Sequence, residues 1–187
     1  MTITIRKLLA AAAIAISLPA TSAMADITVY ATTGYLGDAV SKIAPDAEVI
    51  TMVGPGGDPH TYQPSTRDIQ TIQAADAVVW NGLFLEARME DLLMSLGDKA
   101  LATAERLPSA MLLPWEDDLN DPHVWNSPVA WSAIVGYIAD HLAEIDPDNA
   151  DAYVANAKAY IDEIRTADAE ATKLLSAIPD ANRILLT

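Results

Sequence analysis

The stretch Val53-Gly54-Pro55-Gly56-Gly57-Asp58-Pro59-His60-Thr61-Tyr62-Gln63-Pro64 decides the reading of this chain. It cannot be regular structure, because proline removes backbone donors and fixes φ while glycine permits turns that bulkier residues resist. A β-like run, Glu48 to Val53, precedes it, and Ser65 with Asp68 three residues on reads as a capping-box variant that opens a helix after it. A loop leaving the carboxyl end of a strand in an open α/β sheet lies where such folds bind ligands. The tripeptide Asp58-Pro59-His60 recurs as Asp121-Pro122-His123, so two of the three histidines share one local context. The expectation is that the fold brings these two imidazoles together.

Outward from this loop the pattern alternates. Ile27 to Thr32 is β-branched and aromatic, hence a strand, and Gly34 to Ala44 is a helix stopped by Pro45. Ala77 to Asn81 is a short apolar run that suits a buried parallel strand. Leu85 to Leu96 reads as a helix ended by Gly97, and Ala100 to Thr103 as a weaker strand. The acidic segment Leu112 to Asn120 is irregular, and Glu116-Asp117-Asp118 within it reads as a solvated loop. This alternation predicts an α/β fold, a parallel sheet flanked by helices on both faces.

Beyond the second Asp-Pro-His, Ser127-Pro128 places proline at the first position of a helix whose stripe is Val129, Ile134, Val135, Ile138 and Leu142. His141, near its end, reads as a cation that favours the helix dipole. Asp146-Pro147 repeats the start signal and opens a longer helix to about Ile178, with Val154, Ala157, Ile161, Ile164, Ala171, Leu175 and Ile178 at three- and four-residue steps. About thirty residues would reach roughly 45 Å, the length of a strut between two bodies. Asn182 to Thr187 reads as a new strand. The expected division is 1–25 signal peptide, 26–145 α/β lobe, 146–179 linker helix and 180–187 the first strand of a second lobe.

Arg6-Lys7, the apolar run Leu8 to Leu18 and Ala23-Met24-Ala25 form a secretory signal pattern with cleavage expected after Ala25. The mature chain then carries 26 acidic residues against 11 − 2 = 9 basic ones, moving the formal charge from −15 to −17. Nucleic acid is excluded as a partner, since phosphate binding needs a basic face. An acidic surface concentrates cations. The chain has no cysteine, so it offers no lipid-modified N-terminal Cys and no thiolate site, and any metal must take nitrogen and oxygen ligands. No integral membrane segment is expected in the mature chain, which is read as a periplasmic monomer.

His60 and His123 are therefore the candidate metal ligands, for zinc or manganese. Asp58 and Asp121 carry two readings, as acceptors for the second imidazole N–H or as caps of an Asx-type turn. Trp80 and Trp125 read as core or pocket wall.

The run Gly54 to His60 resembles the first metal-ligand loop of the periplasmic zinc/manganese-binding proteins of ABC importers, the TroA-like or metal-binding adhesin type. Three further stretches are similar to the same family: Ala74 to Leu83 with Leu85-Glu86, Asp121 to Trp125, and Ile145 to Ala150. The resemblance implies two α/β lobes joined by one long helix, with two histidines of the first lobe mapping onto His60 and His123. A third ligand and a carboxylate would come from a second lobe with no counterpart here. It implies binding of a divalent metal, not catalysis, and delivery to the membrane permease of an ABC importer. Two other readings compete. One is a truncated non-transporting remnant or adhesion-type module. The other is a metallohydrolase, which lacks a His-Glu-x-x-His helix or a Gly-x-Ser-x-Gly elbow to support it. The chain lacks the His-rich insertion typical of the family's zinc branch, which favours manganese or a broad zinc/manganese specificity.

Overall fold

The computed structural model of the protein describes residues 27–115 and 118–184. The signal pattern, Glu116, Asp117 and the last three residues lie outside the described residues. Four strands, β1 (Thr28–Ala31), β2 (Glu48–Thr51), β3 (Ala77–Trp80) and β4 (Ala100–Ala102), form one sheet in the order β2-β1-β3-β4. Every pairing is parallel. Helices α1 (Gly34–Ile43) and α2 (Thr66–Ala74) make the first two crossovers, and the short α3 (Glu90–Met94) lies in the third.

The period-2 alternation of the strands sorts their side chains onto two faces. Val29, Ala31, Ala77 and Val79 join Leu36, Val40 and Ile43 of α1 and the apolar stripe of α4 (Pro128–Ile145) in the larger core. Tyr30, Val78 and Trp80 face the other way, onto Ile72 of α2 and Leu93 of α3. β3 is buried along its whole length, which is why its sequence shows no polar alternation. Helices thus cover both faces, as expected.

Several local signals act as read. Ser65 Oγ accepts from the Asp68 amide at 3.2 Å while Asp68 Oδ2 accepts from the Ser65 amide at 2.7 Å, closing the capping box. Ser127 caps α4 through the Ala130 amide, with Pro128 at the first position.

Other expectations are corrected. The helix read over Leu85–Leu96 shrinks to α3, because residues 82–89 are taken up by tight turns that begin in the left-handed region at Gly82, Leu83 and Phe84. Val129 is exposed, and Trp131 takes the buried place in its turn of α4. His141 is no surface cation. It is buried, its Nε2 lies 3.3 Å from the Lys99 carbonyl, and burial pushes its pKa down, which favours the neutral ring.

The long helix α5 (Ala150–Ser176) has 27 residues, about 40 Å at 1.5 Å each. Its first half packs on α4 and α1: Tyr153 and Ala157 join the larger core, and Ile161 and Ile164 pack against it half-buried. Tyr160 OH donates to Asp38 at 3.2 Å. From Arg165 onward every described residue is exposed, Leu174 and Leu175 included. Asp180–Asn182 form a 3-10 turn, not the start of a strand, and Leu185–Thr187 of the expected strand lie outside the described residues.

Candidate metal centre

Connections leave β1 toward β2 on one side and return to β3 on the other, so the carboxyl ends of β1 and β3 flank the switch point of the sheet. The two Asp-Pro-His loops meet at this end. The first follows β2, where Gly56 (φ +81°) supplies a turn that an L side chain resists. Its far end is tied to the start of α2, because Tyr62 OH donates to Asp68 Oδ2 at 3.0 Å. The second loop leads into α4, with a 3-10 turn, Val124–Asn126, between His123 and the Ser127 cap.

Inside each loop the aspartate does both things open to it. Asp58 Oδ1 accepts from the His60 amide at 3.0 Å and lies 2.9 Å from His60 Nδ1. Asp121 Oδ1 accepts from the His123 amide at 2.9 Å and lies 2.6 Å from His123 Nδ1. One oxygen therefore closes the Asx turn and fixes the imidazole, and among the described residues Nε2 of each ring has no hydrogen-bond partner. The His60 imidazole and amide hold the Asp58 carboxyl below the ordinary carboxylate range. Burial works against Asp121, but the His123 amide and imidazole outweigh it and lower its pKa as well.

The two ring centres are 5.2 Å apart. A metal about 2.0–2.1 Å from each nitrogen, in line with the ring, lies roughly 3.2 Å from each ring centre; at a tetrahedral angle, two such centres are about 5.2 Å apart. The spacing is compatible with two imidazoles that share a tetrahedral ion. Around the rings, Leu83, Phe84, Trp115, Leu119, Asn120 and Pro122 complete a cavity of about 210 Å³ with His60 and His123. Trp125 stands edge-on to His123 at 5.2 Å, stacks on Tyr35 at 4.1 Å and packs half-buried against the larger core, whereas Trp80 is buried in the smaller one. Among the described residues no group of three or more His, Cys, Asp or Glu side chains could hold a metal ion.

Two residues that carry the second loop were not singled out from their chemistry. Asn81, fully buried, donates from Nδ2 to the Pro122 carbonyl at 3.0 Å and to the Gly82 carbonyl at 3.0 Å. Glu86, also buried, accepts from the Thr32 hydroxyl at 2.6 Å and from the Asn81 and Gly82 amides at 2.8 and 3.1 Å. Together they hold the end of β3, the end of β1 and the His123 loop as one unit. Asn81→Ala is expected to cost about 1–2 kcal/mol of stability and to speed amide exchange at His123 and Val124. Thermal unfolding and hydrogen-exchange mass spectrometry check both.

The sequence pattern described as ZnuA, zinc-uptake complex component A periplasmic, matches residues 29–187. The chain belongs to this family. It is 36% identical over 170 residues to the manganese-binding lipoprotein MntA of Bacillus subtilis (strain 168), covering 89% of this chain and 56% of that protein. It is 34% identical over 184 residues to the iron-binding protein YfeA of Yersinia pestis, covering 97% of this chain and 59% of that one. The solved structure of the periplasmic zinc-binding protein TroA from Treponema pallidum superposes with a TM-score of 0.78 at 29% identity, over 83% of this chain and 57% of that chain. The chain thus spans a little over half the length of the relatives it matches, and its fold corresponds to the first lobe of the TroA-like structures.

Proposed function

We propose that the chain captures a divalent transition metal outside the inner membrane, through the Nε2 atoms of neutral His60 and His123, for delivery to an ABC importer. The observation that carries this reading is the 5.2 Å spacing of two imidazoles whose Nδ1 atoms are each held by their own aspartate. Such anchoring removes ring rotation before the metal arrives, so less entropy is lost on binding. The protein acts as a carrier and not as an enzyme. The exposed half of α5 leads to a second lobe, which supplies the third and fourth ligands. The signal peptide is cleaved after Ala25, and without a cysteine the product is unlipidated and periplasmic. The metal-free chain is a monomer.

Relatives named for manganese, iron and zinc support a site of broad choice among divalent metals. Imidazole and water ligands together suit all three ions, and selectivity then rests on ligand count and geometry.

Protons compete with a metal for an imidazole nitrogen. Calorimetric titration with Zn²⁺ and Mn²⁺ is expected to show one saturable site that weakens as pH falls, by up to about tenfold per pH unit for each competing proton. Affinity that stays level between pH 5 and 7.5 would overturn imidazole ligation.

A further inference from the structure

The loop that carries His123 has little regular structure to hold it. Between β4 and α4 the described residues form only 3-10 turns and one isolated bridge, Pro114 to Asn120. Asp121 fixes the His123 ring, but it does so from inside the same loop. It sets the ring relative to the loop and not the loop relative to the sheet. The Asn81 bond to the Pro122 carbonyl and the burial of Val124 in the larger core fix where the loop sits. An apolar contact has no direction, so these two leave the tilt of the ring open. A third contact does have a direction. Trp125 stands edge-on to His123, the ring centres 5.2 Å apart and the planes at 65°. Trp125 also stacks on Tyr35, at 4.1 Å and 24°. Tyr35 lies in the first turn of α1 and meets Trp131 of α4 edge to face at 5.8 Å. Aromatic pairs prefer particular angles as well as distances. Trp115, 6.2 Å from His123, is exposed and gives no such hold.

From these contacts we infer that Tyr35 is a positioning residue for the metal. Through Trp125 it holds the His123 ring at the tilt that aims Nε2 at the ion shared with His60. A constellation of ligands has to be kept within about 0.5 Å and 10–20° of its productive geometry. His60 and His123 stand on separate loops, so their 5.2 Å spacing needs a brace outside both, and Tyr35 lies in neither. The ring is what acts, since the Tyr35 hydroxyl is buried with no hydrogen-bond partner among the described residues. Exchange for phenylalanine therefore keeps the brace. Exchange for leucine removes the stack while leaving an apolar side chain in the same place.

This inference rests on the ligand assignment proposed above, and the experiment separates the two. In calorimetric titration of the full chain with zinc chloride, Tyr35→Phe is expected to stay within about twofold of the parent and Tyr35→Leu to bind about tenfold or more weakly, as loss of an outer partner does. Ile145→Ala, at the far end of α4, loosens the same core without reaching the stack, and it is expected to bind as the parent does. Urea unfolding confirms that each variant is folded under the titration conditions. NMR of the metal-free protein with isotope-labelled histidine gives a readout that stability alone does not move. Nuclear Overhauser contacts from the His123 ring to Trp125 are expected to persist in Tyr35→Phe and to vanish in Tyr35→Leu, with the His60 signals unchanged. If Tyr35→Leu does not fold, Trp125→Leu breaks the same brace from its other end and carries the same expectation for zinc. Parent-like binding by the leucine variant, or an equal loss in Ile145→Ala, overturns the positioning role and leaves the ligand assignment standing. A phenylalanine variant as weak as the leucine one also overturns it. Absence of any zinc binding by the parent overturns both.

Discussion

Replacing both His60 and His123 by alanine is expected to abolish specific metal binding, and either single replacement is expected to weaken it by a hundredfold or more. The two rings offer the free nitrogens of the site, and no third ligand stands among the described residues to keep an ion in place. Both side chains are part-exposed and belong to loops, so neither takes part in the core and the fold should not change. The aspartates give the finer test. Asp→Asn keeps an oxygen that can close the Asx turn and face Nδ1, but removes the charge that polarises the ring. Loss of such an outer partner typically costs about 10–100-fold in metal affinity. Asp121→Asn should lie toward the upper end and Asp58→Asn toward the lower, because the Asp121 side chain is 23% exposed and that of Asp58 is 55% exposed. Water screens the second pair more than the first. Calorimetry on the five variants, with circular dichroism to confirm the fold, decides it. Equal tight binding by the double alanine variant would remove the ligand assignment altogether.

What could be read from the sequence was local. Strands β1 and β3 announce themselves through β-branched and continuous apolar runs, the Ser65 cap through Asp68 three residues on, the Ser127 start through Pro128 beside it, and the Asp-Pro-His loops through their repetition. Each of these features is settled within a few residues of itself. The misread features depend on partners far along the chain. His141 looked like a helix-end cation because its neighbours permit that. The Lys99 carbonyl that receives it is 42 residues away. Val129 and Trp131 both fit an apolar position on α4, and only the tertiary packing, with Trp131 edge-on to Tyr35 of α1 at 5.8 Å, selects the tryptophan. The exposed stripe on the second half of α5 is the opposite case, a pattern that nothing among the described residues covers.

Glu86 is the instructive miss, and its replacement should have the largest effect on stability. A lone glutamate inside Leu85–Leu96 fits a helix surface. Yet Asn81-Gly82 just after a buried strand is itself a turn signal, and the turns that follow it run on through the first residues of the expected helix. In the structure the carboxyl group turns back to the strand ends and meets three donors, one of them 54 residues away on Thr32. It also anchors a turn in which Leu83 (φ +54°) and Phe84 (φ +62°) occupy the left-handed region, a conformation that bulky residues keep only when their surroundings impose it. Glu86→Ala leaves two backbone amides and a hydroxyl without their buried acceptor, at about 1–3 kcal/mol per group when no water enters. With partial rescue by water, a total loss of about 2–4 kcal/mol is expected. For a chain of this size that lowers Tm by roughly 5–15 °C. Glu86→Gln should fall between, since one oxygen is kept while the new amide faces the Gly82 N–H. The pH dependence distinguishes a buried carboxyl from a merely well-packed side chain. Burial pushes the Glu86 pKa up despite its donors, so the folded state holds the proton more tightly than the unfolded chain. That contribution is fully present below the unfolded pKa of about 4.3 and is lost as pH rises through the raised folded value. In Glu86→Gln this fall with rising pH should disappear, so the stability difference between the two proteins shrinks as pH rises from the acid side. Urea unfolding at a series of pH values checks it, and parallel stability curves for the two proteins would show that Glu86 does not titrate differently in the fold.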